Sequence, residues 1–284
     1  MLSDDDFPLC LIGESIASSP SRAMQEAALR ASGRPGTYEL VSVAPPQLPG
    51  VLHELRSGRW RGANVTAPYK LALAAACDEL EGDAQLTGAV NTLTVTSDSR
   101  LLGANTDAAG FELALSAHGL WPVAGSRALV VGAGGAAAAI VLALTRVPVE
   151  RTTVVARRIN AARALIDTLA AAGVTADIAV GLWDEDYLER LIATADIVVN
   201  ATSAGLSDMP FTPARLQASC TVADVRYRPR PVDVVAAAAE VGLRSCDGVD
   251  MLLHQGMLSF RRWTGDDDVP YAAARRALEE ELGP

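Results

Sequence analysis

No apolar run in this chain reaches the roughly 18 to 20 residues needed to cross a bilayer, and the N-terminal M-L-S-D-D-D-F is acidic where a signal peptide is basic. With neither a membrane-spanning run nor a signal-peptide pattern in view, a cytoplasmic location is expected. Histidine is scarce: the only three, His53, His118 and His254, stand in no zinc-site or triad motif. No metal site is expected, and acid–base chemistry falls to Lys, Asp, Glu or Tyr. The four cysteines, Cys10, Cys77, Cys220 and Cys246, form no C-x-x-C pair and read as buried thiols in a reducing compartment. Positive charge is also lacking. A net charge of -10, with no basic stripe interleaved with aromatics, argues against a nucleic-acid surface.

What the chain does have is length for two cores, at 284 residues, and a glycine turn to organise one of them. From Arg127 to Ala143 it reads R-A-L-V-V-G-A-G-G-A-A-A-A-I-V-L-A. Ala128 to Val131 suits a strand buried on both faces, Gly132 to Gly135 a turn, and Ala136 onward a helix. Strand, glycine turn and helix in this order suit a dinucleotide. Gly132 permits the tight turn, Gly134 lets backbone N–H groups approach a pyrophosphate, and small Ala137 lets the helix pack closely on the strand. Such turns also occur for packing alone, and the continuation separates the two readings. Thr152 to Val155 reads as the next strand. At its end, about twenty residues past the turn, a carboxylate would meet a free ribose 2'-hydroxyl. The chain has Ala156, Arg157 and Arg158 instead, two guanidinium groups that suit a 2'-phosphate and favour NADP over NAD. The plainer alternative leaves both arginines solvated at a strand end.

The first hundred residues alternate strand and helix signals. Leu9 to Gly13, Tyr38 to Val43 and Gly62 to Val65 read as strands, and Ala23 to Ala31 and Pro49 to Leu55 as helices. Another helix starts at Pro68, and Asn91 to Val95 with Leu101 to Asn105 form a hairpin around Ser97, Asp98 and Ser99. A helix from Asp107 to Ala117 leads into the glycine turn, so the domain boundary is expected near Asp107. Six strand candidates follow, and the helices Met251 to Thr264 and Tyr271 to Leu282 have no strand after them. The whole is expected to be α/β: a small N-terminal α/β domain, a doubly wound Rossmann-like domain, and C-terminal helices that pack back.

Two stretches of the first half are unusual. In G-A-N-V-T-A-P-Y-K, Gly62 to Lys70, a polar run ends a strand and Lys70 falls in the first turn of a helix. A lysine there is electrostatically misplaced, because a helix N-terminus carries partial positive charge. It is either a surface lysine tolerated at modest cost or a group that must trade a proton. In G-A-N-T-D-A-A-G, Gly103 to Gly110, Asp107 stands where a helix begins, which an N-cap alone would explain.

With G-A-V-N-T-L from Gly88, N-A-T-S-A-G from Asn200 and D-G-V-D-M-L-L-H-Q from Asp247, these motifs give the chain a resemblance, over nearly its whole length, to the shikimate dehydrogenase family. The resemblance implies reversible NADPH-dependent reduction of 3-dehydroshikimate to shikimate, a step of aromatic amino acid biosynthesis in the shikimate pathway, by a monomer or homodimer. It implies a catalytic pair, Lys70 and Asp107, with Ser19, Ser21, Thr66, Asn91, Tyr227 and Gln255 holding a cyclic hydroxy acid. Cofactor contacts would come from Gly132, Ala133, Gly134, Gly135, Ala136, Arg157, Arg158, Thr202, Ser203, Gly248 and Met251. Residues 1–107 with 250–284 would form the substrate domain, and 108–249 the NADP domain. NAD is the less favoured cofactor.

Two motifs depart from the family pattern, and in one of them Ala156, Arg157 and Arg158 stand where the family has Asn-Arg-Thr. The loop G-E-S-I-A-S-S-P-S-R, Gly13 to Arg22, keeps Ser19 and Ser21 but has Ser15, Ser18 and Arg22 where the family has Pro, His and Pro. Arg22 is either a solvated first-turn residue or a ligand for an anionic group. The second possibility keeps quinate, an aminoshikimate or another related cyclic acid as alternative substrates.

Overall fold

The computed structural model describes residues 6–283. These form two compact units, one from the chain up to Thr106 and from Leu252 on, the other Asp107–Met251.

The first unit contains β1 (Leu9–Gly13), α1 (Ser21–Ala31), β2 (Tyr38–Ser42), α2 (Leu48–Arg56), β3 (Gly62–Val65), α3 (Lys70–Ala74), β4 (Glu79–Glu81), α4 (Asp83–Thr87), β5 (Thr92–Val95) and β6 (Leu101–Ala104). Its sheet runs β2-β1-β3-β5-β6-β4. β1 pairs in parallel with β2 and β3, whereas β5 is antiparallel to both β3 and β6. The β5–β6 hairpin closes where Thr96 N–H donates to Arg100 O at 3.0 Å. β4 and α4 carry no readable pattern, since three residues of E-L-E are too short to show alternation. α3 begins at Lys70, not at Pro68 as read from sequence: Pro68 and Tyr69 lie in a turn that Tyr69 N–H closes on Thr66 O at 3.0 Å, and the Ala67–Pro68 bond is cis.

In the second unit, α5 (Asp107–Ala117), β7 (Arg127–Val131), α6 (Gly135–Leu144), β8 (Arg151–Val155), α7 (Ile159–Ala171), β9 (Ile178–Gly181), α8 (Glu185–Ile192), β10 (Ile197–Asn200), β11 (Thr221–Asp224), α9 (Asp233–Glu240) and β12 (Arg244–Cys246) follow in turn. The six strands are parallel and run β12-β11-β10-β7-β8-β9. Strand order reverses between β7 and β10, which is where an open α/β sheet presents its crevice. The short apolar strands and the near-total burial of α6 from Ala137 to Leu144 suit a sheet covered on both faces.

α10 (Val249–Thr264) and α11 (Tyr271–Leu282) close the chain. α11 packs on α1, and the buried Ala28, Leu29, Ala274 and Leu278 fill such helix faces. Trp263 Nε1 donates to Leu93 O at 2.9 Å, and a Cβ on Gly62 would lie 2.3 Å from that nitrogen. Gly62 therefore lets the indole of α10 lie directly on the sheet.

Candidate active site

The C-terminal ends of β1 and β3, the N-terminal end of the antiparallel β5 and one face of α10 gather the polar groups of the first unit. Asn91, just before β5, is buried, and its Oδ1 accepts from Thr106 N–H at 2.8 Å and from Thr92 Oγ1 at 2.9 Å. Its Nδ2 donates to Thr106 Oγ1 at 2.9 Å and to Gln255 Oε1 at 3.2 Å. Gln255 Nε2 in turn donates to Leu252 O at 2.9 Å. Below them Ser259 is a hub: it accepts from Asn64 Nδ2 at 2.9 Å, donates to Gln255 O at 2.9 Å, and meets Thr92 Oγ1 at 2.7 Å. Tyr38 Oη extends the chain to Asn64 Oδ1 at 2.8 Å. Buried polar groups this fully paired hold one geometry, because each alternative rotamer would strand a donor or acceptor.

Sequence reasoning named Asn91 and Gln255 but missed Thr92, Thr106 and Ser259. The signal for Ser259 was its place one turn after Gln255 on α10, and for Thr92 a polar residue in a buried strand.

Ser19 and Ser21 are joined: Ser19 Oγ donates to Ser21 Oγ at 3.2 Å and accepts from Ser21 N–H at 3.4 Å. Thr66 N–H donates to Ile12 O at 2.9 Å, and a Cβ on Gly13 would lie 2.6 Å from Thr66 Cγ2, so the ends of β1 and β3 abut. Arg22 is exposed and its Nε donates to Tyr38 O at 3.1 Å, a structural task on the edge strand β2. Lys70 is half-buried at the start of α3. With only five residues, α3 gives the helix-dipole argument little weight. Composition offers another signal: Lys70 is the only lysine of the chain, and the other 23 of its 24 Lys and Arg residues are arginine. Asp107 is the first residue of α5 and 3% exposed, so the cap position is Thr106 and N-capping does not explain it.

In the second unit Gly132 ends β7 with φ +122°, where a Cβ would meet Thr202 Cγ2 at 2.9 Å and Ala201 O at 3.0 Å. Ala133 continues the turn, Gly134 caps α6, and Gly135 and Ala136 form its first turn, one residue earlier than expected. Thr202 and Ser203 follow β10. Asn200 Oδ1 accepts from Thr202 N–H at 3.0 Å and Thr202 Oγ1 at 2.7 Å, while Asn200 Nδ2 donates to Asp224 Oδ2 at 2.9 Å. Asp224 is bonded by Arg226, which also binds Asp233. Burial works to raise the Asp233 carboxyl, but the Leu206 N–H and Arg226 outweigh it and hold it below its usual range. Gly248 N–H donates to Arg226 O at 2.9 Å, Met251 is buried two residues into α10, and Tyr227 is half-buried after β11.

Arg157 and Arg158 leave the end of β8 exposed, and neither guanidinium makes a hydrogen bond or ion pair among the described residues. Unspent guanidinium groups, a helix N-terminus and a glycine turn whose Gly132 has no room for a side chain fit a phosphorylated dinucleotide. A hollow of about 330 Å³ opens at the N-terminal ends of β7 and β8 among Arg127, Glu150, Arg151 and Asp177, whose charges are paired with one another. It takes no part in this arrangement. Burial holds the thiols in their neutral form, pushing Cys77 up to about 11 and Cys220 and Cys246 up to about 12. Thiolate chemistry is thereby excluded at neutral pH.

A parallel sheet with a glycine turn at its reversal point defines a dinucleotide-binding α/β protein, here joined to a unit rich in buried amides and hydroxyls. Three family models match the chain: the shikimate dehydrogenase substrate binding domain over residues 11–93, shikimate / quinate 5-dehydrogenase over 112–223, and the shikimate 5'-dehydrogenase C-terminal domain over 248–279. The shikimate dehydrogenase (NADP(+)) of Methylobacterium radiotolerans is 40% identical over 261 residues, 90% of each chain. The Thermus thermophilus shikimate 5-dehydrogenase, solved with NADP(H) and shikimate, superposes with a TM-score of 0.83 at 35% identity, covering 97% of this chain and 100% of that one. A Corynebacterium glutamicum quinate dehydrogenase solved with NAD gives 0.85 at 30% identity, covering 96% and 99%. The chain belongs to the shikimate dehydrogenase family.

Proposed function

We propose that this chain is an NADP-dependent alcohol dehydrogenase that interconverts 3-dehydroshikimate and shikimate. The observation that carries the reading is Lys70. In a chain that uses arginine everywhere else, one lysine remains, in the half-buried first turn of α3 and in the unit that holds Asn91 and Gln255. Charge alone would be served by arginine, which stays protonated and cannot trade a proton at neutral pH. An amine, unlike a guanidinium, can give up and take back a proton near neutral pH.

We assign the proton on the substrate's secondary hydroxyl to Lys70 Nζ, with Asp107 as the second catalytic group. Bound NADP supplies the hydride acceptor in this oxidation. Ser19, Ser21, Thr66, Asn91, Tyr227 and Gln255 bind the remaining hydroxyls and the carboxylate. Neutral donors and acceptors suit such a ligand because their hydrogen bonds fix its orientation in a directional way. Gly132 to Ala136 take the pyrophosphate, Arg157 and Arg158 the 2'-phosphate, and Thr202, Ser203, Gly248 and Met251 the nicotinamide half. We place the reaction in aromatic amino acid biosynthesis in the cytoplasm.

The test is nicotinamide absorbance at 340 nm with shikimate or quinate, each with NADP or NAD, for the parent protein and Lys70→Arg. Reduction of NADP by shikimate, lost in Lys70→Arg with NADP binding retained, is the expected result. Turnover with quinate alone would move the chain to the quinate branch of the family, and an active Lys70→Arg would remove the assigned proton carrier.

A further inference from the structure

α1 meets α10 at Gly256, where Met24 packs and Gln25 makes a hydrogen bond. Gln25 follows Ser21 by one helical turn on the same face of α1 and is fully buried. Its Nε2 donates to Gly256 O at 2.9 Å, next to Gln255, whose amide is bonded to Asn91. Gly256 makes the approach possible, because a Cβ there would lie 2.3 Å from Met24 Cε and 3.4 Å from Gln25 Nε2.

Two features separate this contact from ordinary packing. Gly256 lies inside α10, where its carbonyl already has the backbone N–H four residues on as a partner, so the Gln25 bond fills no gap in the helix. The other end of the amide, Oε1, is buried and reached by no protein donor among the described residues. A half-paired buried amide is a poor stabiliser, and an unbranched apolar side chain of the same length would fill the space without that cost. What the amide adds is direction.

We propose that Gln25 is a positioning residue that sets the spacing between the Ser19–Ser21 loop and Gln255, and through it the affinity for the cyclic hydroxy acid. The inference rests on the function proposed above. Arg22, bonded to Tyr38 O, ties the same turn of α1 to β2, so the loop is held from two sides. A ligand gripped by Ser19 and Ser21 at the start of α1 and by Gln255 of α10, itself bonded to Asn91, needs that span fixed before it arrives.

The experiment compares Gln25→Met, which keeps length and removes the donor, with Gln25→His, which keeps an N–H. Gln25→Met is expected to leave the melting temperature unchanged or higher. It is also expected to raise KM for the cyclic acid about tenfold, with kcat within about twofold and KM for NADP unmoved. Gln25→His should recover most of the lost affinity. In the free protein, Gln25→Met should speed amide hydrogen exchange in residues 19–25 and 252–258 alone. A lowered melting temperature with unchanged KM, or unchanged local exchange, would overturn the proposal. If the parent protein binds NADP but turns over no cyclic acid, the functional reading fails by itself, and the exchange data still decide whether Gln25 holds the two segments together.

Discussion

Asn91 Oδ1 accepts the backbone N–H of Thr106 at 2.8 Å, and the residue after Thr106 is Asp107. One amide thus ties the residue before β5 to the backbone immediately ahead of a proposed catalytic carboxylate. Asn91→Ala removes that acceptor and leaves Thr106 N–H, Thr92 Oγ1 and Gln255 Oε1 short of a partner in a buried site. An unpaired buried group costs about 1–3 kcal/mol. The variant should lose about that much stability in urea unfolding and bind the cyclic acid more weakly. A variant with wild-type stability would show that water replaces the amide without penalty.

At the other ligand, the Arg157 and Arg158 guanidinium groups have no partner among the described residues, so substitution should affect cofactor choice and little else. Arg157→Ala and Arg158→Ala are each expected to raise KM for NADP about tenfold while leaving KM for NAD nearly unchanged. The preference should narrow as salt rises, since exposed charges are screened. Parallel losses for NADP and NAD would place the 2'-phosphate elsewhere.

Backbone fit separates two glycines. A Cβ on Gly248 would lie 2.1 Å from Val225 O, a contact that only a backbone shift can relieve, whereas one on Gly50 would meet nothing within 4 Å. Gly50 lies within α2, where alanine is the better helix former. Gly248→Ala should therefore destabilise by about 1–3 kcal/mol and weaken dinucleotide binding. Gly50→Ala should stabilise by about 0.5–1 kcal/mol. Thermal melts of the two variants moving in the same direction would contradict both assignments.

The glycine turn, the parallel sheet and most helix limits were legible in the sequence because each is written in local spacing. G-A-G-G-A-A sits between an apolar run and an alanine-rich helix, and no distant residue is needed to interpret it. Pro68 misled because a proline before a helix suits both a first turn and the tight turn found here. The hydroxyl network was not legible: Thr92 and Ser259 meet at 2.7 Å across 167 positions of sequence, and neither stands in a pattern that predicts the other. Lys70 was visible both ways. The motif around it suggested a role, and its being the one lysine of the chain agrees with the proton transfer proposed for it.

The first unit should also lose stability in acid through Asp78. Arg56 Nη1 donates to its Oδ2 at 2.6 Å and Leu101 N–H at 2.7 Å. The Arg56 hydrogen bond, seconded by the Leu101 amide, holds the carboxyl below its usual range. A carboxyl more acidic in the folded state favours folding while ionised. That contribution is complete above the unfolded value of about 4 and disappears as pH falls through the lower folded value. Asp78→Asn should therefore lower the urea midpoint at pH 7, with the gap between variant and parent closing toward about pH 3. A gap that stays the same at both pH values would mean that the Arg56 contact is held by shape and hydrogen bonding alone, with no part played by the charge of Asp78.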